Sequence, residues 1–232
     1  MTSKPPPEPQ VQGQKPVTAQ AGDVPLPETD QACREVLRSR MKDLIRHLDA
    51  ETQGVAARRL APQLAPFLRD MAPGHLASYF PVRGEIDPNG FTGLGSVGSP
   101  FGLHVYLPRL QGGSLEFVSW EPGTDLRPNR FGIPEPTTGH SLSPERLDAI
   151  LLPLRAFDSW GRRLGTGGGF YDRTLAGERE GPIRPLRIGV AHDRQRVDSI
   201  PEAPWDVPLD WVVTDRGWYR NGCFHPSWPG LK

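Results

Sequence analysis

The sequence is poor in several features that would assign its class directly. It has only two cysteines, Cys33 and Cys223, so a disulfide framework is excluded and a cytoplasmic location is favoured. Its 27 basic residues balance its 27 acidic residues, so no net charge attracts nucleic acid or an anionic membrane. No apolar run approaches the roughly 18 residues that a membrane span needs, and the N-terminal residues do not have the pattern of a signal peptide.

Glycine and proline, by contrast, are abundant, with 26 and 27 residues in a chain of 232. Seven of the prolines lie in residues 1–28, which contain no aromatic residue. Such a segment buries too little area to offset the entropy lost on ordering. We therefore expect residues 1–28 to form a disordered Pro-rich arm. The alternative is a polyproline II ligand for a partner's groove, for which residues 6–9 have the required composition.

The remaining pattern predicts one folded domain over residues 29–216, with residues 217–232 as a tail packed on it. Asp30 is expected to cap a first helix whose apolar residues recur at helical spacing as far as Leu48. A second helix is expected over 54–71, kinked or split at Pro62 and Pro66. Strands are expected over 76–82, 103–110, 115–120, 148–157, 187–192 and 211–215.

The order of these elements predicts the fold class. The run at 148–157 is almost continuously apolar, as in a strand buried on both faces of a sheet. The stretches between the last three strands are long enough for crossover helices, notably 169–178. We therefore expect an α/β protein, a three-layer α/β/α sandwich with a mostly parallel central sheet.

Residues 157–173, FDSWGRRLGTGGGFYDR, carry the clearest chemical signal. Four glycines in five positions let the backbone turn sharply, and they follow a buried strand and precede a predicted helix, as in sites that bind phosphate through backbone amides. Arg162 and Arg163 add guanidinium groups, and Asp172 adds a carboxylate able to hold Mg²⁺. The loop lacks the Gly-Lys-Ser/Thr of a P-loop and the third glycine of G-x-G-x-x-G. On the residues alone, two alternatives stay open. The glycines can be a flexible turn, and Asp172 can be a first-turn helix residue instead of a metal ligand.

Other catalytic chemistries lack their motifs. The six histidines show neither H-x-x-x-H nor H-E-x-x-H spacing, so a zinc site is not expected. Ser141, Ser143 and Ser159 lie in no nucleophile elbow, so serine hydrolysis is not expected.

The run LLPLRAFDSWGRRLGTGGGFYDR at 151–173 resembles the signature of the 5-formyltetrahydrofolate cyclo-ligases, also called 5,10-methenyltetrahydrofolate synthetases. Further segments agree in order across about residues 31–216. They are REVLR at 34–38, SYFPVRGEID at 78–87, LPR at 107–109, GIPEP at 132–136, QRV at 195–197, WD at 205–206, LD at 209–210 and VVT at 212–214.

The resemblance implies a cytoplasmic, monomeric enzyme that converts 5-formyltetrahydrofolate and ATP to 5,10-methenyltetrahydrofolate, ADP and phosphate with Mg²⁺, without nucleic acid or membrane partners. By position it implies a nucleotide site formed by Arg34, Glu35, Val36, Leu37, Arg38, Arg163, Leu164, Gly165, Thr166, Gly167, Gly168, Gly169, Phe170 and Tyr171. It implies a folate site formed by Phe80, Glu85 and residues 166–170, and a metal site formed by Asp172 and Asp206. Arg163, Thr166 and Phe170 are the implied catalytic residues.

Four positions depart from the family pattern. Arg34 stands where the family has Lys, Thr166 where it often has Tyr, Phe170 where Tyr is frequent, and Trp205 where His is common. These departures motivate an alternative, a non-catalytic folate or nucleotide sensor with the same fold. A third hypothesis is an ATP-dependent activity on a different amide-bearing substrate.

Overall fold

The computed structural model describes residues 29–72, 74–89, 102–178 and 184–231. The predicted arm at 1–28 lies outside these ranges. The helices are α1 (Asp30–Arg46), α2 (Ala50–Met71) and α3 (Phe170–Thr174). The strands are β1 (His75–Ala77), β2 (His104–Gln111), β3 (Ser114–Trp120), β4 (Leu126–Pro128), β5 (Pro134–Pro136), β6 (Ser141–Leu142), β7 (Ala149–Pro153), β8 (Ala156–Phe157), β9 (Arg163–Leu164), β10 (Leu186–Ala191), β11 (Trp211–Thr214), β12 (Trp218–Arg220) and β13 (Cys223–His225).

Nine of the described strands form one sheet, in the order β13-β12-β11-β10-β7-β1-β2-β3-β6. The five central strands, from β11 to β2, are all parallel. Antiparallel strands extend both ends of this parallel centre. The expected α/β class with a largely parallel core is thus confirmed.

The alternation of side chains along the central strands separates two apolar layers. Leu76 and Leu151 face α2, whose Leu64 and Phe67 are fully buried against that side of the sheet. Ala77 and Ile150 point to the opposite side, which is covered by the loops around β8 and β9 and by the segment after α3. A third cluster joins Leu37 and Met41 of α1 to the β8–β9 hairpin. The sheet therefore has cover on both faces.

Both long helices differ at their ends from the sequence prediction. Thr29, not Asp30, caps α1, because the Thr29 hydroxyl accepts a hydrogen bond from the amide of Ala32 at 3.3 Å. Helix α2 begins earlier than expected and runs unbroken through Pro62 and Pro66. Its buried apolar face outweighs the hydrogen bonds that two prolines remove, which is a common way for tertiary packing to override propensity.

Two of the predicted strands are shorter than expected. The strand expected at 76–82 ends at Ala77, after which the chain leaves the ladder and lines a cavity. The strand expected at 148–157 divides, since β7 ends at Pro153 and β8 pairs with β9 outside the main sheet. Proline has no amide proton with which to continue a ladder, so the division at Pro153 has a local cause.

The crossover segments hold less helix than expected. Between β7 and β10 the described helical residues are the five of α3 and a short 3₁₀ turn at Ala176–Glu178. Between β10 and β11 there is only a 3₁₀ turn, Asp193–Gln195, in residues that are all described. Within the described ranges, no helix is both long enough and apolar enough to cross a membrane.

The stretch after residue 216, expected as a tail on the domain, extends the sheet by two antiparallel strands, β12 and β13. Trp218 in β12 is fully buried, and its ring lies 4.5 Å from that of Trp228 and 5.6 Å from that of Phe67 in α2. Aromatic residues of this size bury a large area. Trp218 and Tyr219 therefore belong to the core, whereas residues 221–224 are exposed.

Candidate active site

A cavity opens at the carboxyl ends of β1, β2 and β7, the edge at which parallel sheets usually bind ligands. A water-sized sphere can occupy about 140 Å³ of it. Its lining residues come from the segment after β1, from β2 and β3, from the β4–β5 hairpin, and from the glycine-rich loop before α3. They are Tyr79, Phe80, Val82, Glu85, Pro108, Leu110, Leu115, Asn129, Phe131, Ile133, Pro134, Glu135, Pro153, Arg163, Gly165, Thr166, Gly168, Gly169, Phe170, Tyr171 and Asp172.

The glycine-rich loop, residues 165–169, forms the wall of this cavity that leads into α3. Gly167 and Gly169 have φ of +104° and +64°, in the left-handed region that glycine adopts without strain. At Gly168 a Cβ atom would lie 2.8 Å from the ring of Phe170. Glycine is therefore required at 167 and 169 for backbone conformation and at 168 for the close packing of the ring.

Asp172, in the first turn of α3, is held by two groups on other elements. Arg163 Nη2 donates to Asp172 Oδ1 at 2.6 Å, and the amide of Val207 donates to the same oxygen at 3.2 Å. No hydrogen bond from a described residue reaches Oδ2. Because Arg163 is only 5% exposed, the pair fixes the carboxylate at the edge of the cavity.

A second arginine–carboxylate pair lies beside the first. Arg34 Nη1 and Nη2 donate to the two oxygens of Asp206 at 2.5 and 2.8 Å, and Nη1 also donates to the carbonyl of Pro201 at 2.6 Å. Arg34 lies on α1 and is only 3% exposed. It forms a bidentate ion pair with Asp206, which is 172 residues away in the sequence. The amide of Val207, next to Asp206, is the one that binds Asp172.

Arg38 lies one helical turn beyond Arg34 and adds a positive charge to the two pairs. Burial lowers its pKa, and the neighbouring Arg34 lowers it further. Three carboxylates, those of Asp206, Glu35 and Asp172, oppose this shift. Three guanidinium groups and three carboxylates thus lie in this region, and Arg38 is the guanidinium that pairs with neither Asp172 nor Asp206.

Glu85 is the buried carboxylate on the other side of the cavity, with 7% exposure. Burial raises its pKa to about 7. Two effects limit this rise in the pKa. The amide of Val82 donates to Oε2 at 3.1 Å, and Arg155 and Arg83 contribute positive charge. Tyr79 borders the same region, and burial raises the pKa of its phenol well above the ordinary value.

Most of the residues predicted from sequence lie at the deeper cavity or at the two arginine–carboxylate pairs, but some of their side chains face elsewhere. Of segment 34–38, Arg34 and Arg38 face the carboxylates, whereas Leu37 packs in the core with Leu164. Glu35 is exposed and accepts a hydrogen bond from Gln31 at 2.9 Å, and Val36 is half-buried. Phe80, Glu85 and most of residues 163–172 line the cavity.

The β4–β5 hairpin contributes cavity residues that the sequence analysis did not assign to a site. Asn129, Phe131, Ile133 and Glu135 come from this hairpin. Glu135 Oε1 accepts from the amide of Leu110 at 2.9 Å and from Asn129 Nδ2 at 2.7 Å, which ties the hairpin to β2. The only sequence signal was the GIPEP segment at 132–136, which resembled the family but carried no role.

A second, shallower cavity lies on the other side of the glycine-rich loop. Gly167, Gly169, Asp172, Arg173, Ala176, Pro204 and Trp205 line it. Trp205 is 63% exposed, although an indole of that size is usually packed. Gly169 and Asp172 border both cavities, so a ligand in each would meet at these residues.

Arg173 fastens the glycine-rich loop to the β2–β3 turn. Its Nε donates to the carbonyl of Gly113 at 2.5 Å, and its Nη2 donates to the carbonyl of Gly168 at 2.7 Å. The guanidinium carbon also lies 5.2 Å from the centre of the Phe170 ring. The conformation of the loop thus depends on a fork of donors that arginine alone supplies.

We expect Arg173→Lys to weaken the grip on the loop, because one ammonium group cannot span both carbonyls. The KM for a ligand held by the loop should rise about tenfold, the effect of losing one charge-assisted hydrogen bond, with little change in Tm. Steady-state kinetics and thermal denaturation measure the two effects. Arg184→Lys is the matched control, because Arg184 makes two hydrogen bonds to Asp210 elsewhere on the protein. An equal rise in KM in both variants would contradict the assignment.

Known proteins are similar to this chain in sequence and in fold. A model of the 5-formyltetrahydrofolate cyclo-ligase family matches residues 30–215. The 5-formyltetrahydrofolate cyclo-ligase of Haemophilus influenzae is 33% identical over 181 residues, which cover 76% of this chain and 94% of that protein. The Escherichia coli protein of the same name is 45% identical over 118 residues, 49% of this chain, and that alignment spans only 64% of its length.

The solved NMR structure of the 5,10-methenyltetrahydrofolate synthetase from Aquifex aeolicus aligns with a TM-score of 0.65 and 27% identity, covering 85% of this chain and 97% of that chain. A synthetase of the same name from Mycoplasma pneumoniae aligns with a TM-score of 0.62 at 22% identity, and this second likeness concerns the fold alone. The family match over residues 30–215 includes all the residues that line the two cavities. The chain belongs to the 5-formyltetrahydrofolate cyclo-ligase family.

Proposed function

We propose that the chain converts 5-formyltetrahydrofolate and ATP to 5,10-methenyltetrahydrofolate, ADP and phosphate, with Mg²⁺. The names of its relatives support the folate substrate. The observation that carries the proposal is the wall shared by the two cavities, formed by the glycine-rich loop and Asp172. A folate in the deeper cavity and a triphosphate in the shallower one would meet at this wall.

The reaction needs such a meeting point because the N5-formyl group is an amide with a poor leaving group. Transfer of the γ-phosphoryl group of ATP to the formyl oxygen releases ADP and makes that oxygen part of a phosphate. N10 then attacks the formyl carbon, the carbon–oxygen bond breaks, and phosphate leaves. Loss of the proton from N10 completes the methenyl bridge. The protein's part is to position two substrates and to neutralise charge.

The triphosphate would be held by backbone amides of residues 165–169 and by the guanidinium groups of Arg34, Arg38 and Arg163. Helix α3 has five residues, so its macrodipole adds little, and the amides and arginines carry most of the binding. Leu37 and Leu164 would contribute only as the packed base under these groups, because their side chains are in the core. Glu35, Val36 and Tyr171 complete the proposed nucleotide segments.

Asp172 and Asp206 would hold Mg²⁺. Asp172 Oδ2 has no hydrogen-bond partner among the described residues, and a carboxylate oxygen is the ligand that Mg²⁺ prefers. The described residues contain no cluster of three or more metal-binding side chains, which suits an ion that takes most of its ligands from phosphate and water. When bound, Mg²⁺ neutralises charge on the transferring phosphoryl group.

The folate would occupy the deeper cavity with its pterin near Glu85 and Phe80. Above a pH of about 7 the Glu85 carboxylate is ionised and can accept hydrogen bonds from pterin N–H groups. Thr166 and Phe170 line the deeper cavity and would contact the formyl group while Arg163 offsets charge there. The packed Phe170 ring would also exclude water from the phosphorylated intermediate.

The test is an assay with purified protein, 5-formyltetrahydrofolate, ATP and Mg²⁺, recording methenyl formation by absorbance and ADP release together. We expect both signals in equal amounts, and neither without ATP. Tight folate binding without turnover would instead support the non-catalytic sensor. ADP release with another amide-bearing compound, and none with this folate, would support the third hypothesis. We further propose that the enzyme is cytoplasmic and monomeric. Sedimentation of the purified protein would test the oligomeric state.

A further inference from the structure

Two phenylalanines frame the mouth of the deeper cavity. Phe131, on the β4–β5 hairpin, is 47% exposed, and its ring centre lies 5.8 Å from that of Phe170 in an edge-to-face arrangement. Both rings line the cavity, Phe131 from the β4–β5 hairpin and Phe170 from the first turn of α3. We call this pair, Phe131 and Phe170, the aromatic mouth.

An arginine stands over each side of the aromatic mouth, and the two differ in what their donors contact. Arg173 gives its donors to the carbonyls of Gly113 and Gly168. Arg130 lies with its guanidinium carbon 5.0 Å from the centre of Phe131 and 6.0 Å from that of Phe170. It is exposed, and within the described ranges no carboxylate or carbonyl accepts from it. Its five N–H donors are therefore available at the opening.

The hairpin holds Arg130 at this position. Asn129 Oδ1 accepts from the amides of Phe131 and Ile133, at 2.8 and 3.1 Å, which closes the turn around Arg130. Glu135, a carboxylate of the same hairpin, is committed to Asn129 and Leu110. The charge of Arg130 is thus displayed outward instead of being neutralised within the hairpin.

We infer that Arg130 binds the carboxylates of the glutamyl tail of the folate substrate at the aromatic mouth. The inference rests on the proposed function and extends it to a residue with no role assigned so far. A reduced folate has a pterin, a benzoyl group and a glutamate with two carboxylates. The pterin would lie near Glu85, so the benzoyl ring reaches the aromatic mouth. The anionic glutamate then falls outside the apolar walls, where burial without a partner would be costly.

Guanidinium is the matching group for such a tail. It forms paired hydrogen bonds with carboxylates and remains charged while stacked on an aromatic ring. The guanidinium carbon of Arg130 lies 5.0 Å from the centre of the Phe131 ring, so the group is already held beside the ring before a ligand arrives. Exposure limits the strength of the contact, and we expect an effect of about fivefold on affinity.

The test compares 5-formyltetrahydrofolate with its glutamate dimethyl ester, which keeps the shape and removes both charges. Arg130→Ala should raise the KM for the acid about fivefold and leave the KM for the diester and for ATP unchanged. Arg130→Lys should restore part of the affinity, and Arg130→Glu should lower it further. Arg127→Ala, an exposed arginine on β4 of the same hairpin, is the control for loss of one positive charge.

Two results would overturn the inference. An equal loss for acid and diester would mean that Arg130 acts only by packing on Phe131. No loss for either would mean that the tail binds elsewhere. Calorimetric titration of the acid and the diester in the absence of ATP gives the same comparison without turnover. If the protein binds the acid through Arg130 but never forms product, the proposed activity is wrong and the proposed contact of Arg130 with the tail is supported.

Discussion

Replacing Asp172 by asparagine is expected to reduce kcat by at least about a hundredfold, the effect of losing one well-placed electrostatic contact of about 3 kcal/mol. The substitution is nearly isosteric. The asparagine oxygen can still accept from Arg163 and from the amide of Val207, so the local geometry should persist. What disappears is the negative charge at the oxygen proposed to contact Mg²⁺.

Kinetics and a titration of Mg²⁺ with a non-hydrolysable ATP analogue, followed by the shift in Tm, measure this effect. The variant should lose both turnover and the stabilisation by Mg²⁺, and its Tm without ligands should also fall, because the buried Arg163 loses the charge of its partner. Asp210→Asn is the control, because Asp210 pairs with Arg184 away from the cavities. A variant of Asp172 with the wild-type kcat and Mg²⁺ response would remove this residue from the metal site.

Asp206 differs from Asp172 in an instructive way. Its two oxygens accept from both terminal nitrogens of the buried Arg34. Asparagine can accept with one oxygen only, and it would leave a buried guanidinium incompletely paired. Asparagine at 172 can keep the single hydrogen bond from Arg163, whereas asparagine at 206 loses one of the two from Arg34, so Asp172 is the cleaner test of the metal proposal.

The second large effect concerns Glu85 and pH. Burial raises the pKa of this carboxyl from its ordinary 4.5 to about 7, so between these values the native state binds more proton than the unfolded chain. The contribution of Glu85 to stability is therefore most favourable below pH 4.5 and is lost as pH rises through about 7. A shift of this size corresponds to about 3 kcal/mol.

Glu85→Gln should therefore stabilise the protein at pH 8 by up to about 3 kcal/mol and change its stability little at pH 5. The glutamine oxygen can keep the hydrogen bond from the amide of Val82. Chemical denaturation at the two pH values measures the difference. Folate affinity at pH 8 should fall in the same variant, since the proposed acceptor for the pterin has lost its charge.

Glu116→Gln is the control, because the pKa of Glu116 is lowered where that of Glu85 is raised, so the expected change in stability at pH 8 has the opposite sign. The hydrogen bond from Ser141, followed by that from Arg109, lowers the pKa of Glu116. This carboxylate stabilises the native state above the ordinary pKa, and the contribution is lost as pH falls through the lowered value. Its glutamine variant should be the less stable protein at pH 8. If the effect of Glu85→Gln were the same at both pH values, the burial argument would be wrong.

The sequence allowed prediction of those parts of the site that lie in one continuous segment. Residues 163–172 carry their own turn chemistry, because glycines at 167 and 169 meet a local backbone requirement. The pairing of Arg34 with Asp206 joins residues 172 apart, and no local rule links them. Family resemblance placed both residues in the site but could not indicate that each is the other's partner.

The errors in the fold have equally physical causes. The apolar run at 148–157 matched a single buried strand, yet Pro153 ends the ladder and the chain turns into the β8–β9 hairpin. Helix α2 kept two prolines because its inner face is packed against the sheet. The hairpin around Asn129 was missed because its importance comes from a cavity wall, which depends on where β2 and α3 lie.

The two strands at the C-terminal end of the sheet have a consequence for how the protein is made. Residues 218–225 are translated after all five strands of the parallel centre, and they cover Trp211 and the four-residue strand β11. Until they are in place, β11, whose first three residues are apolar, presents an open edge of the kind that recruits other chains. A premature stop codon even a few positions after residue 215 would thus leave every proposed ligand-binding residue in the polypeptide and still yield an aggregation-prone product.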